Sequence, residues 1–433
     1  MTDPLKPRLA ALILSMLPLA ACGSSSADVS GLWSAALEGP GGDVVFGLDL
    51  RHVDGAWAAW LVNGEERITV PRVEVGDTAL VLGMDHYDSQ IVAALSGAGD
   101  ARRLSGEWTK VGSDESLTRM PFHATPGDPL APDAPTVAPG PDGKIYVFAG
   151  VDLADPPRYR VDFGSDDQPA VGVFELGPDS VARGTFMTTT GDYRYLAGRL
   201  SPSEIENTMV AVSLSCFDGA HAFLFKHHLD FDWNLVDGHF WSRDTWHDTY
   251  TGTPDPDASL PDGFALTTFV DDGDLGALAF PDLDGDMRAL DDPAFEGKAR
   301  ILQVFGSWCP NCHDACDFLA DLDAAYGERG LSIVGLAFEH GTDFERNARQ
   351  VRRYAERHGV TWPLLIAGLS DKAEAGKVLP ILDAVRSYPT TIFLHGDGRV
   401  RAVYQGFSGP ATGAAHAALR ASFEAIVEEL LAE

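Results

Sequence analysis

The stretch Trp308-Cys309-Pro310-Asn311-Cys312 decides how the C-terminal part of this chain folds. It follows the apolar run 301–305, which predicts a buried strand, and it precedes a pattern typical of an amphipathic helix. Two thiols at this spacing can close one disulfide, and the N-terminus of a helix stabilises a thiolate. We therefore expect Cys309 to be the attacking nucleophile and Cys312, one turn further in, to be the resolving thiol.

A pair of cysteines at this spacing is also half of a common zinc site. No second pair of the same spacing follows, and Cys316 falls inside the predicted helix. We therefore expect no metal and no prosthetic group, and the redox-active disulfide would be formed by the pair itself.

From residue 264 onward, buried-strand patterns alternate with helical ones, and the chain ends in a hairpin followed by a helix. This succession predicts an α/β fold with a mixed sheet over residues 264–433. The predicted strands are 299–306, 331–338, 362–367, 390–395 and 400–405, and the predicted helices are 313–326, 344–358, 372–385 and 414–432.

Residues 264–433 resemble the TlpA/ResA-like branch of the thioredoxin-fold proteins. The motifs are the redox pair, Ser387-Tyr388-Pro389-Thr390-Thr391 before a strand, and four further segments, at 280–285, 297–305, 334–339 and 406–410. The resemblance implies a periplasmic thiol-disulfide oxidoreductase that usually reduces selected partner proteins and is itself reduced by an electron-donor protein. It also implies a cis peptide bond before Pro389, facing the pair, and a Tyr388 backbone that binds the partner, with Trp308 and Pro310 as supporting residues.

Two positions depart from the pattern of this family. Where thioredoxins carry a buried Asp six residues before the first cysteine, this chain has Gln303, which cannot act as an acid or base. Where some relatives carry Glu three residues after the second cysteine, it has Ala315. Glu339 and Asp314 are the candidates for the group that tunes the thiols, and the alternative for both is an ordinary solvated or hydrogen-bonded carboxylate.

The N-terminus indicates where the protein resides. Lys6 and Arg8 precede an apolar run, 10–19, that is too short for a mature membrane span, and Leu19-Ala20-Ala21-Cys22 resembles the lipobox of bacterial lipoproteins. We expect a signal peptide over 1–21 and a lipidated Cys22 with a tether over 22–29. Gly23 favours the outer membrane, facing the periplasm. The alternative is an ordinary secretory signal followed by a chance cysteine.

Between the tether and residue 253 the pattern is one of short alternating strands separated by turn residues, which predicts an all-β region. We expect a first β unit over 30–125, a Pro-rich linker over 126–143, a second β unit over 144–253 and a linker over 254–263. Four short motifs recur about 130 residues apart in the same order, which predicts that the two units are related. Each unit would then be a small antiparallel barrel or half of a larger sandwich. The motif pairs begin at Gly55 and Gly184, Asn63 and Thr190, Tyr87 and Phe217, and Gly106 and Gly238.

The net charge and the remaining reactive residues limit the functions that the sequence allows. A formal net charge of -32 argues against nucleic-acid binding, which needs basic surface. Cys216 and Cys316 are expected to be buried core thiols, and the histidines over 221–247 have no spacing of a known metal site. The run 282–286 lacks the Gly and Glu of a calcium loop and is better explained as a hairpin turn.

The sequence therefore predicts an envelope-anchored thiol-disulfide oxidoreductase with a role in cell redox homeostasis, acting on thiol- or disulfide-containing envelope proteins. Two alternatives stay open. One is a binding lipoprotein whose β region recognises an envelope component, with the redox domain secondary. The other is a peroxiredoxin-like peroxidase with antioxidant activity, although no Pro or Thr stands at the required offsets before Cys309.

Overall fold

A computed structural model describes residues 29–112, 116–131, 158–177, 180–270 and 277–433, and of residues 166 and 167 only the backbone. The predicted signal peptide, Cys22, residues 132–143 of the predicted linker and residues 144–157 of the predicted second unit lie outside these ranges. Among the described residues, no helix is both long and apolar enough to cross a membrane.

The first β unit is one antiparallel sheet in the order β4-β3-β2-β1-β9-β8-β7-β6-β5. Consecutive strands are neighbours and β1 pairs with β9, so the sheet curls into a ring that is open between β4 and β5. Alternating side chains point inward and bury large aromatic residues, among them Trp33, Trp108 and Phe122. The strands are β1 Gly31–Gly39, β2 Gly42–Val53, β3 Ala56–Asn63, β4 Glu66–Thr69, β5 Arg72–Val75, β6 Ala79–Met84, β7 Ser89–Ser96, β8 Arg103–Val111 and β9 Leu117–Pro126.

The second β unit closes completely. Its strand β10 pairs with β18, and β11 pairs with β12, so eight strands form an up-and-down barrel with the two-residue β13 attached to β12. Stacked aromatic rings fill the interior, with Phe225 between Phe186 and Phe240 at centroid distances of 4.6 and 4.3 Å. The strands are β10 Arg158–Phe163, β11 Asp166–Leu176, β12 Val181–Thr188, β13 Gly191–Asp192, β14 Leu196–Pro202, β15 Thr208–Phe217, β16 Ala222–Asp230, β17 Leu235–Ser242 and β18 Trp246–Pro254.

In both units most consecutive strands are neighbours and the first strand pairs with the last, but the orders differ, because β12 pairs with β14 in the second unit and the first unit is open between β4 and β5. The duplication of the two units stays a prediction. Each has nine strands, and the predicted equivalents Gly106 and Gly238 lie at the same point of β8 and β17. A Cβ on Gly106 would collide with β7, the preceding strand, and a Cβ on Gly238 would collide with β18, the following strand. Gly55 and Gly184 do not correspond, because Gly55 lies in a turn and Gly184 in the middle of β12.

A side chain of the second unit completes the core of the first. Phe217 is fully buried, and its ring centroid lies 4.7 Å from that of Phe46 and 5.4 Å from that of Trp108. The amide of Asn63 donates to the Phe217 carbonyl at 3.1 Å and accepts from its backbone N–H at 3.0 Å. The two units therefore pack as one body.

The C-terminal domain has a five-stranded mixed sheet in the order β23-β22-β21-β24-β25, preceded by the hairpin β19-β20. Strands β21, β22 and β23 are parallel, and β24 and β25 are antiparallel to their neighbours. Helices cover both faces of this sheet. The elements are β19 Ala279–Pro281, β20 Met287–Ala289, β21 Ala299–Phe305, α1 Pro310–Tyr326, β22 Leu331–Glu339, α2 Phe344–His358, β23 Leu364–Leu369, α3 Lys372–Val378, β24 Thr390–His395, β25 Val400–Gln405 and α4 Ala414–Ala432. Together with the two sheets, this domain confirms the predicted fold class, an all-β region followed by a thioredoxin-like α/β domain.

Three predicted boundaries in this domain were wrong, each because of a proline. The helix predicted over 372–385 ends at Val378, because Pro380 disfavours helical backbone at Leu379. The strand predicted from 362 begins after Pro363, which has no N–H for the sheet. The helix predicted from 313 begins at Pro310, whose fixed φ suits the first helical position.

Replacement of Phe217 tests the shared core. We expect Phe217→Ala to lower the free energy of unfolding by about 3–5 kcal/mol, because it empties a fully buried site between the two β units. The measurement is urea denaturation followed by tryptophan fluorescence. Trp246→Ala, at a half-exposed aromatic residue of β18, is the control and should change stability by less than about 0.5 kcal/mol. Equal, small effects of both variants would contradict the shared core.

Candidate redox site

The thiol pair lies at the junction of β21 and α1. Cys309 is the N-cap of α1, with extended backbone angles, and Pro310 occupies the first helical position. The carbonyl of Cys309 accepts from the N–H groups of Cys312 and His313 at 2.9 and 3.2 Å, which closes the first turn. The helix N-terminus predicted from the sequence is therefore present at the first thiol, where unpaired N–H groups favour negative charge.

The two thiols have different environments. Both thiols border the apolar core, but Cys309 is 7% exposed and Cys312 only 1%. Burial, together with a hydrogen bond to the Cys309 side chain, raises the pKa of Cys312 well above its usual value. Cys312 therefore keeps its proton, and Cys309 is the outer sulfur of the pair. No disulfide joins any of the four described cysteines.

The segment before β24 forms a wall beside the outer thiol. The Tyr388–Pro389 peptide bond is cis, as the resemblance implied. The Cys309 thiol donates to the Tyr388 carbonyl at 3.5 Å, and the Tyr388 ring packs edge-on against Trp308 at a centroid distance of 5.6 Å. Sequence positions about 80 residues apart thus meet at one sulfur atom.

Glu339 reaches this site through Ser307. Its carboxylate accepts from the Ser307 N–H and hydroxyl, both at 2.7 Å, just before the thiol pair. Burial raises the pKa of Glu339 to about 7, against the opposing effect of the Ser307 hydrogen bonds. The side chain of Trp308 is also held by a hydrogen bond, because its indole N–H donates to the Phe338 carbonyl at 2.9 Å. Glu339 is therefore a positioning residue that titrates near neutral pH.

The two departures from the family pattern have simple structural counterparts. Gln303 is buried in β21, and its side-chain oxygen accepts from the Thr391 hydroxyl at 2.7 Å. The Gln303 amide therefore links β21 to β24, but it cannot act as an acid or base. Ala315 packs with Phe318 in the core cluster shared with α4, whereas Cys312 belongs to the cluster on the other side.

Asp314 joins the redox domain to both β units. Its carboxylate pairs with Arg194 of the second unit, and the same guanidinium pairs with Glu66 of the first unit at 2.5 Å. Burial raises the pKa of Asp314 to about 8 despite Arg194, and Asp192 and Glu66 add to the rise. Sequence reasoning missed Arg194, because no local pattern links it to a helix 120 residues away.

A histidine chain behind the pair was also missed. His313 Nε2 lies 2.9 Å from the Ser307 carbonyl and therefore donates to it, so Nδ1 accepts from His358 Nε2 at 2.6 Å. His358 Nδ1 lies 2.5 Å from the Asp317 carboxylate. Burial lowers the pKa of His313 well below its usual value. These contacts brace the first turn of α1 against the end of α2.

The other candidates from the sequence lie apart from this chemistry or are inert. Cys316 is buried, and burial raises its pKa to about 12. Cys216 is fully buried in the second β unit, which raises its pKa well above its usual value. His239 and His247 stack on each other, but the described residues contain no group of three or more side chains suited to hold a metal. Asp282 accepts from the N–H groups of Asp284 and Asp286, as a hairpin turn requires.

Comparison with known proteins finds relatives of the C-terminal region. Residues 256–419 match the Redoxin family model. The thioredoxin-like protein YneN of Bacillus subtilis is 28% identical over 111 residues, which cover 26% of this chain and 58% of that protein. The thiol-disulfide oxidoreductase ResA of Halalkalibacterium halodurans is 28% identical over 117 residues, covering 26% of this chain and 56% of that protein. The chain thus spans little more than half the length of these relatives.

Among solved structures, a putative thiol:disulfide interchange protein DsbE from Chlorobium tepidum is similar, with a TM-score of 0.29 and 18% identity over 37% of this chain and 99% of that one. The match to the family model and the similarity to YneN and ResA agree with the resemblance found in the sequence. The C-terminal region of this chain thus matches a Redoxin domain and is similar to thioredoxin-like proteins and thiol-disulfide oxidoreductases.

Proposed function

We propose that the protein is a thiol-disulfide oxidoreductase that exchanges disulfides with envelope proteins through Cys309 and Cys312, as a reductant. The observation that carries this proposal is the asymmetry of the pair. Cys309 lies at a helix N-terminus beside the Tyr388 carbonyl, 3.5 Å from its sulfur, and Cys312 is buried and protonated behind it.

The exchange balances with the groups present. The Cys309 thiolate attacks one sulfur of the partner disulfide, forms a mixed disulfide and releases the other partner sulfur, which takes up a proton. Cys312 then loses its proton and attacks the Cys309 sulfur. The Cys309–Cys312 disulfide forms, and the second partner thiol leaves. The partner has gained two electrons and two protons, which an electron-donor protein must return to the pair.

The proposed location is the outer membrane of the bacterial envelope, with a lipid on Cys22 and the domains facing the periplasm, because Gly23 follows the lipidated residue. This proposal rests on the sequence alone. The intact mass of the mature chain tests it, since a diacyl- or triacylglyceryl cysteine at the new N-terminus supports it and an unmodified or uncleaved terminus contradicts it.

Replacing each of the two thiols should affect disulfide exchange differently. We expect Cys309→Ser to reduce oxidised glutathione at the background rate, because the attacking sulfur is gone, and Cys312→Ser to accumulate a mixed disulfide that mass spectrometry detects. Cys216→Ser, at a buried thiol of the second β unit, is the control and should keep full activity. Full reductase activity of Cys309→Ser would refute this mechanism. Turnover of hydrogen peroxide, but not of oxidised glutathione, would favour the peroxidase alternative.

Glu339 should make stability fall as pH rises. Its pKa of about 7 in the folded protein exceeds the reference value of 4.5. Between pH 4.5 and pH 7 the folded state therefore binds more protons than the unfolded state. The free energy of unfolding therefore decreases from about pH 4.5 to 7 on account of this group, and the loss persists above pH 7. Glu339→Gln should remove this part of the pH dependence in urea titrations.

Glu107→Gln, at a half-exposed glutamate of β8, is the matched control and should leave the pH dependence as in the wild type. Identical pH profiles of the wild type and Glu339→Gln would contradict the buried, elevated state of Glu339.

A further inference from the structure

A turn of the second β unit lies against the redox site. This turn, residues 188–191, joins β12 to β13. A Cβ on Gly191 would collide with the side-chain amide of Asn311, the residue between Pro310 and Cys312. The Ser387 hydroxyl donates to the Thr190 carbonyl at 3.2 Å, directly before Tyr388. The 188–191 turn therefore contacts both the thiol loop and the wall beside Cys309.

A third segment of the redox domain faces the same turn. The Gln405 side-chain amide donates to the Thr189 carbonyl at 3.3 Å, and the Gly409 N–H donates to the Asp192 carboxylate at 2.6 Å. Carbonyl groups of the turn thus accept hydrogen bonds from the redox domain beside the thiol pair. This is the type of contact that a bound extended segment would make.

The turn is held in place from behind. Arg194 follows it by three residues and is almost fully buried, and its guanidinium bridges Asp314 of α1 and Glu66 of the first β unit. Because Phe217 joins the two β units through a common core, the turn cannot leave the thiol pair without moving these ion pairs or bending β12.

We propose that the 188–191 turn is a steric filter on the redox site, which restricts access to Cys309 to small disulfides and thin extended polypeptide segments. The proposal rests on the redox function proposed above and adds a limit on the substrate class. A disulfide within a broad folded surface would clash with the second β unit before its sulfur reached Cys309, which is 7% exposed.

The direct test measures access without turnover. Reduced protein is treated with iodoacetamide or with a maleimide attached to the surface of a small folded protein, and modification of Cys309 is followed by peptide mapping and normalised to the rates of a short cysteine peptide. For the wild type, we expect the normalised rate with the bulky reagent to be at least about tenfold below that with iodoacetamide, because access requires an unfavourable opening. Equal normalised rates would overturn the filter.

Two variants should release the filter. Arg194→Gln leaves Glu66 and Asp314 without their shared cation, and Gln405→Ala removes the bond to Thr189 and serves if the first variant does not fold. Either should bring the normalised rates together. Arg401→Gln, which breaks an exposed pair with Glu429 on the same domain, is the control and should keep the wild-type difference. Rates that stay apart in both folded release variants would also overturn the filter.

Turnover separates this inference from the proposed function. With oxidised glutathione and folded insulin as substrates, we expect the wild type to prefer glutathione and Arg194→Gln to gain activity on insulin. If neither disulfide is reduced while the two alkylation rates still differ, the filter stands and the proposed function fails. If both are reduced and the alkylation rates are equal, the function stands and the filter fails.

Discussion

The first turn of α1 is the point on which the rest of the molecule depends. It carries both thiols and ends β21, and its outer side meets both β units. A single buried guanidinium, that of Arg194, lies among the carboxylates of Glu66, Asp192 and Asp314 at this junction. Breaking such a buried arrangement by removing one partner is costly, because the remaining charges lose their compensation. The position of the redox helix is therefore coupled to the position of two barrels far from it in sequence.

The same junction explains why the two thiols have different roles. Cys312 faces the apolar core and is held protonated by burial, whereas Cys309 lies at the helix end beside the Tyr388 carbonyl. The neighbouring polar side chains hold the backbone around the thiol pair in place. Glu339 holds Ser307, His313 binds the Ser307 carbonyl, and Gln303 binds Thr391. At the position where thioredoxins carry a buried Asp, this chain thus has an amide held by a hydrogen bond to Thr391.

Local features of the site could be predicted from the sequence, and long-range features could not. The position of Cys309 at the N-terminus of a helix and the bounds of α2 and α4 follow from a short motif, caps and periodicity, and the cis bond at Pro389 was implied by the family resemblance. The end of α3 was misjudged because helical periodicity continues past Pro380, although the backbone cannot. Arg194 and the 188–191 turn gave no signal, since their partners lie 120 residues or more away and the contacts depend on how three folded units pack. Gly106 and Gly238, which the predicted duplication pairs, each lie where a neighbouring strand leaves no room for a side chain, but on different sides of their strands.

The reduction potential of the Cys309–Cys312 pair tests the central claim most directly. It can be measured by equilibrating the protein with glutathione or dithiothreitol buffers and trapping the thiols with a mass-shifting reagent. A reductant with this site should show one two-electron couple near the potential of thioredoxin, about -270 mV. A potential near the strongly oxidising value of about -120 mV would contradict the reductant role, and the absence of a reversible couple would contradict dithiol exchange altogether.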